Sequence, residues 1–234
     1  YARVLNGGSL GLGESYMDGW WDCQALDQLS YKLLSGRIDE QVKVTNPGLL
    51  INAIKARILN AQTKKRAYIV GRKHYDIDND LFSLMLDERM NYSCGYWRNA
   101  KNLEQAQINK LDLVCRKLHL KPGMSVLEIG CGWGSFAKYA AENYGVSVHG
   151  ISISKEQVKY AEASCKDLNT SFEFKDYREL NTQYDSIVSI GMFEHVGYKN
   201  YRDYMGVARR CLDDNGLFLL HTIGRNTPSR STDP

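Results

Sequence analysis

The stretch Val126-Leu127-Glu128-Ile129-Gly130-Cys131-Gly132-Trp133-Gly134-Ser135 constrains this chain more than any other. The apolar run ending at Ile129 has the length of a buried strand, and a helical pattern opens after Ser135. Between them Gly130, Gly132 and Gly134 carry no side chains, so the backbone can turn sharply and a ligand can lie directly against it. The residues around this turn continue the pattern. Strands are predicted at Ser125–Ile129, Val146–Gly150, Ser171–Lys175, Tyr184–Ile190 and Gly216–Thr222. Helices are predicted at Leu103–Leu118, Phe136–Asn143, Lys155–Asp167 and Lys199–Leu212. Lys121-Pro122-Gly123 stops the first helix, and Asn215-Gly216 is expected to break the last one before its strand. Such alternation predicts an α/β fold, a parallel sheet wound with helices on both faces.

Glu128 puts an acid at the end of the first strand, at the edge where open α/β sheets bind ligands. The spacing G-x-G-x-G departs from the dinucleotide fingerprint G-x-G-x-x-G, and the second strand runs into Ile151-Ser152-Ile153-Ser154 without an acid, so NAD is disfavoured. Ser152 and Gln157 are the polar groups that stand there instead. After the third strand, Asp176 is placed to accept from an adenine amino group and Tyr177 to lie against the ring.

Before Leu103 the chain reads as helices and turns. Gly7 to Gly13 is expected to form a glycine-rich loop, followed by the aromatic cluster Tyr16, Trp20 and Trp21 and by helical spacing at Leu26, Leu29, Leu33 and Leu34. A second helix is expected after Pro47, with Leu49, Leu50, Ile51, Ile54, Ile58 and Leu59 at helical spacing and the basic run Lys64-Lys65-Arg66 behind it. Two readings of it stay open: a lipid-facing helix with a cationic flank, or the core helix of a small domain, which periodicity alone favours.

Lys and Arg number 30 against 27 Asp and Glu, a formal charge of +3. That is too weak to argue for nucleic acid but suits an anionic membrane surface. The 6 cysteines contain no C-x-x-C pair, so reduced thiols in a cytoplasmic protein are expected, and no metal site. No apolar run approaches the ~18 residues of a membrane span, which leaves peripheral contact as the expected mode. The chain opens at Tyr1 without a methionine and closes in a polar tail at Pro234, as a piece of a longer protein would.

Glu-x-Gly-x-Gly-x-Gly on a first strand resembles motif I of the class I S-adenosylmethionine-dependent methyltransferases. Further strings narrow the likeness: His74-Tyr75-Asp76-Ile77-Asp78-Asn79-Asp80-Leu81-Phe82, Asn91-Tyr92-Ser93-Cys94-Gly95-Tyr96-Trp97, Ile190-Gly191-Met192-Phe193-Glu194-His195-Val196-Gly197, and Leu219-Leu220-His221-Thr222-Ile223. With Gly8 to Tyr16, which resembles the bacterial phospholipid enzymes, they make the chain similar to the cyclopropane-fatty-acyl-phospholipid synthases and the related mycolic acid cyclopropane synthases. The resemblance runs from Gly8 to the end.

That likeness implies a Rossmann-like class I methyltransferase sheet with a small, mainly helical amino-terminal domain. Residues 1–66 would be a lipid-binding-type domain and 67–234 the catalytic domain. The family's sheet continues for two more strands that carry a further tyrosine ligand, whereas only Gly224 to Pro234 follow here, so truncation after the fifth strand is expected. The implied reaction adds the methyl carbon of S-adenosylmethionine across the cis double bond of an unsaturated phospholipid in a bilayer. S-adenosylmethionine contacts would fall on Tyr75, Tyr92, Ser93, Glu128, Gly130, Cys131, Gly132, Trp133, Gly134, Ser152, Gln157, Asp176 and Tyr177.

The proton acceptor in the family is a bound bicarbonate, whose pocket would fall on Cys94, Glu194, His221 and, through its backbone, Ile223. Faces of Tyr75, Tyr96 and Phe193 would stabilise a carbocation. A homodimer attached to the inner face of the plasma membrane is implied as well. The alternatives are a C- or N-methyltransferase acting on another lipid or small molecule, and a non-catalytic S-adenosylmethionine-binding module that docks on membranes. A nucleic acid methyltransferase is disfavoured, since no N/D-P-P-Y string follows the fourth strand.

Overall fold

The computed structural model describes residues 2–36, 79–224 and 226. They belong to two compact units, one holding 2–36 and 226, the other 79–224. The expected domain boundary after residue 66, the helix after Pro47, the run Lys64-Lys65-Arg66 and Tyr75 lie outside the described residues.

In the first unit the expected glycine loop is instead part of a helix, α1 (Ala2–Met17), kinked at Gly8, where φ is 56° and ψ −136°. The glycines serve a fold-back: a Cβ on Gly11 would fall 2.2 Å from the Arg3 carbonyl oxygen, an approach no other residue allows. The kink brings Arg3 to Glu14, at 2.9 Å, and to Asp18, and sets its guanidinium 4.8 Å from the centre of the Trp20 ring. Tyr16 and Trp21 meet at 4.9 Å, and Trp21 Nε1 donates to Ser15 Oγ at 2.9 Å. Helix α2 (Leu26–Ser35) follows as predicted, but none of its residues is buried.

The second unit opens with α3 (Asn79–Met85) and α4 (Leu103–Lys117), the latter capped by Asn102, whose side chain accepts from Gln105 N–H at 2.9 Å. Strand β1 (Ser125–Ile129), α5 (Ser135–Tyr144), β2 (Ser147–Ser152), α6 (Lys155–Ser164), β3 (Thr170–Phe174), β4 (Tyr184–Ile190), α7 (Tyr201–Cys211) and β5 (Leu212–His221) complete it. The five strands form one sheet in the order β3-β2-β1-β4-β5, with every neighbouring pair parallel.

Alternation along the strands explains why both faces are covered. Val126, Val148 and Val188 point into a core with Leu111, Val114 and Cys115 of α4 and Phe136, Ala137 and Ala140 of α5. Leu127, Ile129, Ile151 and Ile187 point the other way, into a core with Tyr204, Val207, Ala208 and Cys211 of α7. Strands buried on both faces read as near-continuous apolar runs, and the central β1 does so between Ser125 and Glu128. At the amino end of the sheet Asp185 accepts from Ser125 N–H at 2.7 Å and from Ser125 Oγ at 2.8 Å, which holds its carboxyl below the usual range.

The end of the chain departs from expectation. Helix α7 stops at Cys211, one residue from the expected Leu212, but β5 begins at once and not at Gly216, so Asn215-Gly216 lies inside the strand and does not break the helix. Tyr184 pairs with Leu212 and Ser186 with Leu217, so residues 213–216 bulge out of register. Gly216 lies where a Cβ would be 2.7 Å from the Asp185 carbonyl oxygen, so the glycine permits a close backbone approach rather than ending a helix.

Candidate active site

The parallel order with β1 and β4 adjacent puts the carboxyl ends of the central strands at the crevice where open α/β sheets bind ligands. A cavity there is lined by Tyr92, Ser93, Glu128, Gly130, Cys131, Gly132, Trp133, Ser152, Gln157, Asp176 and Tyr177. Gly134 is not among its lining residues.

The glycines have separate tasks. All have positive φ, at 85°, 53° and 84° for Gly130, Gly132 and Gly134. A Cβ on Gly130 would meet Met192 at 2.7 Å, and one on Gly134 would meet Ala161 at 2.9 Å and Phe172 at 3.1 Å. Gly134 therefore closes the packing of α5 on its neighbours. Gly132 alone of the three has open space where its Cβ would be, and it lines the cavity. The turn is tied to β2 by the Gly130 and Cys131 N–H groups, both donating to the Ile151 carbonyl at 3.0 Å. Trp133 is fixed by donating from Nε1 to Asn79 Oδ1 at 2.8 Å and by packing on Phe82, which meets Tyr92 edge-on.

Glu128 is buried and its Oε2 has no hydrogen-bond partner. Burial pushes its carboxyl up to about 8, against the pull of the Ala137 N–H and of Lys110. A buried acid opening on a cavity is a receptor for a cation, whose charge would offset the cost of ionising it. Lys110, which the sequence reading did not single out, lines the same cavity and is buried on α4, with its ammonium pushed down to about 8 by burial. It donates to Asn91 Oδ1 at 3.0 Å and to Ser93 Oγ at 2.9 Å. Asp87 holds Asn91 in turn, accepting from its backbone N–H at 2.6 Å and its Nδ2 at 2.8 Å. A lysine inside the buried stripe Ala106, Gln107, Lys110, Leu111, Val114, Cys115 was the available signal.

At the end of β2, Ser152 Oγ donates to Gln157 Oε1 at 2.8 Å and accepts from Ser154 N–H at 3.2 Å. With Oε1 engaged, the amide Nε2 is the group Gln157 has left to offer a ligand in the cavity. Asp176 is buried and accepts from the Arg178 N–H at 3.0 Å and from the Arg178 guanidinium at 3.1 Å. Tyr177 lines the cavity, but its ring is committed to the core, 5.0 Å from Tyr204 and beneath the Arg178 guanidinium, rather than lying free as a stacking platform.

Four further residues converge beside this cavity, at the ends of β4 and β5. Cys94 Sγ lies 3.6 Å from His221 Nε2, and Glu194 Oε1 accepts from the Ile223 backbone N–H at 2.8 Å. Ile190 and His221 are register partners, so β-pairing itself aligns the two segments. Glu194 Oε2 and His221 Nδ1 are both buried without a partner. The Ile223 N–H is occupied by Glu194, which leaves its carbonyl as the backbone group able to face an added ligand. Ser93 lines the cavity while the next residue, Cys94, meets His221, so one loop borders both places. Phe193 stacks on Tyr201 at 4.2 Å and meets Tyr204 edge-on. Tyr96 goes elsewhere, to a surface cavity with Arg98, Asn109, Asp112 and Arg116, because Gly95 is pressed against Ala106 and Tyr96 N–H donates to the Ala106 carbonyl. Met192 and His195 also line the main cavity, positions the sequence reading left unassigned.

The family model for mycolic acid cyclopropane synthetase matches residues 62–233. The cyclopropane-fatty-acyl-phospholipid synthase of Escherichia coli is 55% identical over 234 residues, which is 100% of this chain and 61% of that protein. Among solved structures, the cyclopropane synthase MmaA2 from Mycobacterium tuberculosis superposes with a TM-score of 0.64 at 38% identity, over 66% of this chain and 56% of that one. Mycolic acid cyclopropane synthase CmaA1 complexed with SAH and CTAB gives 0.63 at 37%, over 65% and 55%. The chain thus spans somewhat under two thirds of the length of these relatives, and by both sequence match and fold it belongs to the mycolic acid cyclopropane synthetase family.

Proposed function

We propose that the protein is a cyclopropane-fatty-acyl-phospholipid synthase, which uses S-adenosylmethionine to convert the cis double bond of an unsaturated phospholipid acyl chain into a cyclopropane ring, with bicarbonate as the base. One juxtaposition supports this above all. A cavity containing a buried, unpartnered Glu128 carboxylate oxygen shares its bordering loop with Cys94, whose neighbour His221 is on the strand beside Glu194.

S-adenosylmethionine, when bound, supplies an electrophilic methyl carbon, and bicarbonate supplies the proton acceptor. The chain does the rest by placement. Glu128 receives positive charge, Gly132 lets the ligand approach the backbone, and Gln157 and Asp176 offer a donor and an acceptor to the sugar and base. An alkene is a weak nucleophile, so fixed alignment has to supply much of the rate.

The pair of orphaned atoms, Glu194 Oε2 and His221 Nδ1, fits an ion that both accepts and donates. If the Cys94 S–H donates to His221 Nε2, the ring proton sits on Nδ1 and is available to an anion. Glu194 beside that anion would be repelled unless a proton is shared, so the hydroxyl of the ion would donate to Oε2.

The relatives' lipid chemistry and the modest positive charge support peripheral attachment to the inner face of the plasma membrane, and the family precedent supports a homodimer. No helix among the described residues is long and apolar enough to cross a membrane. The test is to incubate the protein with S-adenosylmethionine and vesicles of unsaturated phospholipid and to examine the acyl chains. The expected product has gained one CH2 and lost its double bond. A methyl-branched chain, or methyl transfer to another acceptor, would replace this reading with a C- or N-methyltransferase, and binding without turnover would leave a docking module.

A further inference from the structure

Residues 96–103, which lead from Cys94 into α4, present three large hydrophobic side chains to solvent within eight positions: Tyr96, Trp97, which is 56% exposed, and Leu103. Single exposed hydrophobics are ordinary on a protein surface, whereas a cluster on one short loop marks a contact. The exposure is not the by-product of a loose loop. Gly95 is pressed against Ala106, Tyr96 N–H donates to the Ala106 carbonyl at 2.8 Å, and Asn109 Nδ2 donates to the Arg98 carbonyl at 3.1 Å. A turn closes from Ala100 N–H to the Trp97 carbonyl at 3.1 Å, with Asn99 at a φ of 62°. The backbone is thus held from α4, and a tryptophan kept in water by a fixed backbone costs free energy until something covers it.

The charges on the loop identify what does. Between Cys94 and Asn102 there is no acid, while Arg98 and Lys101 are both exposed cations. Asp112 shares a surface cavity with Arg98, but its two oxygens are engaged by Arg116 Nε and Tyr144 Oη, each at 2.7 Å. Aromatic rings with a polar edge, flanked by cations, suit the water–lipid boundary, where the rings settle at headgroup level and the cations meet phosphate.

We propose that residues 96–103 are a docking loop for an anionic phospholipid bilayer, with Trp97 entering the headgroup region and Arg98 and Lys101 meeting lipid phosphates. The proposal rests on the reading of the substrate as a membrane phospholipid and adds the surface by which the chain reaches it. Cys94 stands two positions before Tyr96 and touches His221, so a loop seated on the bilayer would hold that contact beside the surface from which an acyl chain is drawn.

The experiment measures binding of the full chain to vesicles of phosphatidylcholine alone, and of phosphatidylcholine and phosphatidylglycerol in equal parts. Flotation gives the affinity, and quenching of tryptophan fluorescence by phospholipid brominated on its acyl chains reports insertion. Wild type is expected to favour the anionic vesicles. Trp97→Phe should still bind them but lose most of the quenching. The double variant Arg98→Gln/Lys101→Gln should bind them about 30-fold more weakly, roughly fivefold for each cation. Unchanged affinity for S-adenosylhomocysteine shows that the variants are folded. Wild type that ignores anionic vesicles, or equal binding and quenching in all three proteins, would overturn the docking loop and leave the synthase reading standing. A change of oligomeric state in either variant would mean that the loop meets a second copy, and would overturn it as well. Docking through this loop by a protein that alters no lipid would keep the surface and remove the reading of the substrate.

Discussion

Glu194 and Ile223, 29 residues apart, are joined by a 2.8 Å hydrogen bond in which the backbone N–H of Ile223 donates to Oε1 of Glu194. The other carboxylate oxygen of Glu194 is buried without a partner, as is Nδ1 of His221, two residues before Ile223.

Glu194→Gln keeps an acceptor for Ile223 N–H but loses the charge, and His221→Ala removes the orphaned ring nitrogen. Turnover in each variant should fall by ~10²–10⁴-fold, the range for lost acid–base assistance, with S-adenosylmethionine affinity changed less than about threefold. Single-turnover product analysis alongside equilibrium binding checks this. Weakened cofactor binding with normal turnover at saturation would put both residues in the wrong role.

The Glu128 carboxyl, raised to about 8 by burial, is mostly protonated at neutral pH when nothing is bound, and a cationic ligand draws it into the charged form. Binding should therefore release up to one proton, and affinity should rise with pH by as much as ~10-fold per unit below about 8. Above that the gain stops, because Lys110, lowered to about 8, begins to lose its charge and the ligand's own amine deprotonates. Calorimetry in buffers of different ionisation heat measures the proton count. Glu128→Gln should abolish the slope.

The same shift has a sign in stability. A carboxyl whose folded value lies above its ordinary 4.5 favours folding fully below 4.5 and loses that contribution as pH rises through about 8. Glu128→Gln is expected to match wild type in melting temperature near pH 4.5 and to exceed it by a few degrees at pH 8 in the absence of ligand. Equal melting curves at both pH values would show that Glu128 is not held neutral.

Alanine substitutions in the turn should separate its glycines. Gly134→Ala drives a methyl against Ala161 and Phe172 and adds positive-φ strain, so a loss of about 2 kcal/mol or more in folding stability is expected. Gly132→Ala meets no neighbour and carries the φ penalty alone, about 1 kcal/mol, at a residue that lines the cavity, so binding is expected to suffer more than folding. Denaturant unfolding with parallel binding measurements distinguishes a variant that is unstable from one that folds and binds poorly.

Much of this arrangement was fixed by neighbours in the chain. Apolar runs of strand length, the alternating glycines and the side-chain caps at Asn102 and Ser154 act over a few residues, so β1, β4 and α4 fall at or within a residue of their expected bounds. The likeness of short strings also placed Glu128, Glu194 and His221 near one another, because a parallel order puts the ends of successive strands on one edge.

What the chain could not announce were contacts over long separations and exceptions to propensity. The resemblance put Cys94 and His221 in one pocket, but no local pattern of residues shows that they meet across 127 positions, which the assembled sheet and α4 decide. Gly7 to Gly13 became a kinked helix since Arg3 and Gly11 could touch once the chain folded back at Gly8, a tertiary gain that outweighs the poor helix propensity of glycine. Asn215-Gly216 became a bulge because β5 had to regain register with β4. Lys110 stood in plain sight in an apolar stripe, but whether a lysine there snorkels outward or turns into a cavity is settled by what lies above it, here Asn91, Ser93 and the open side of Glu128.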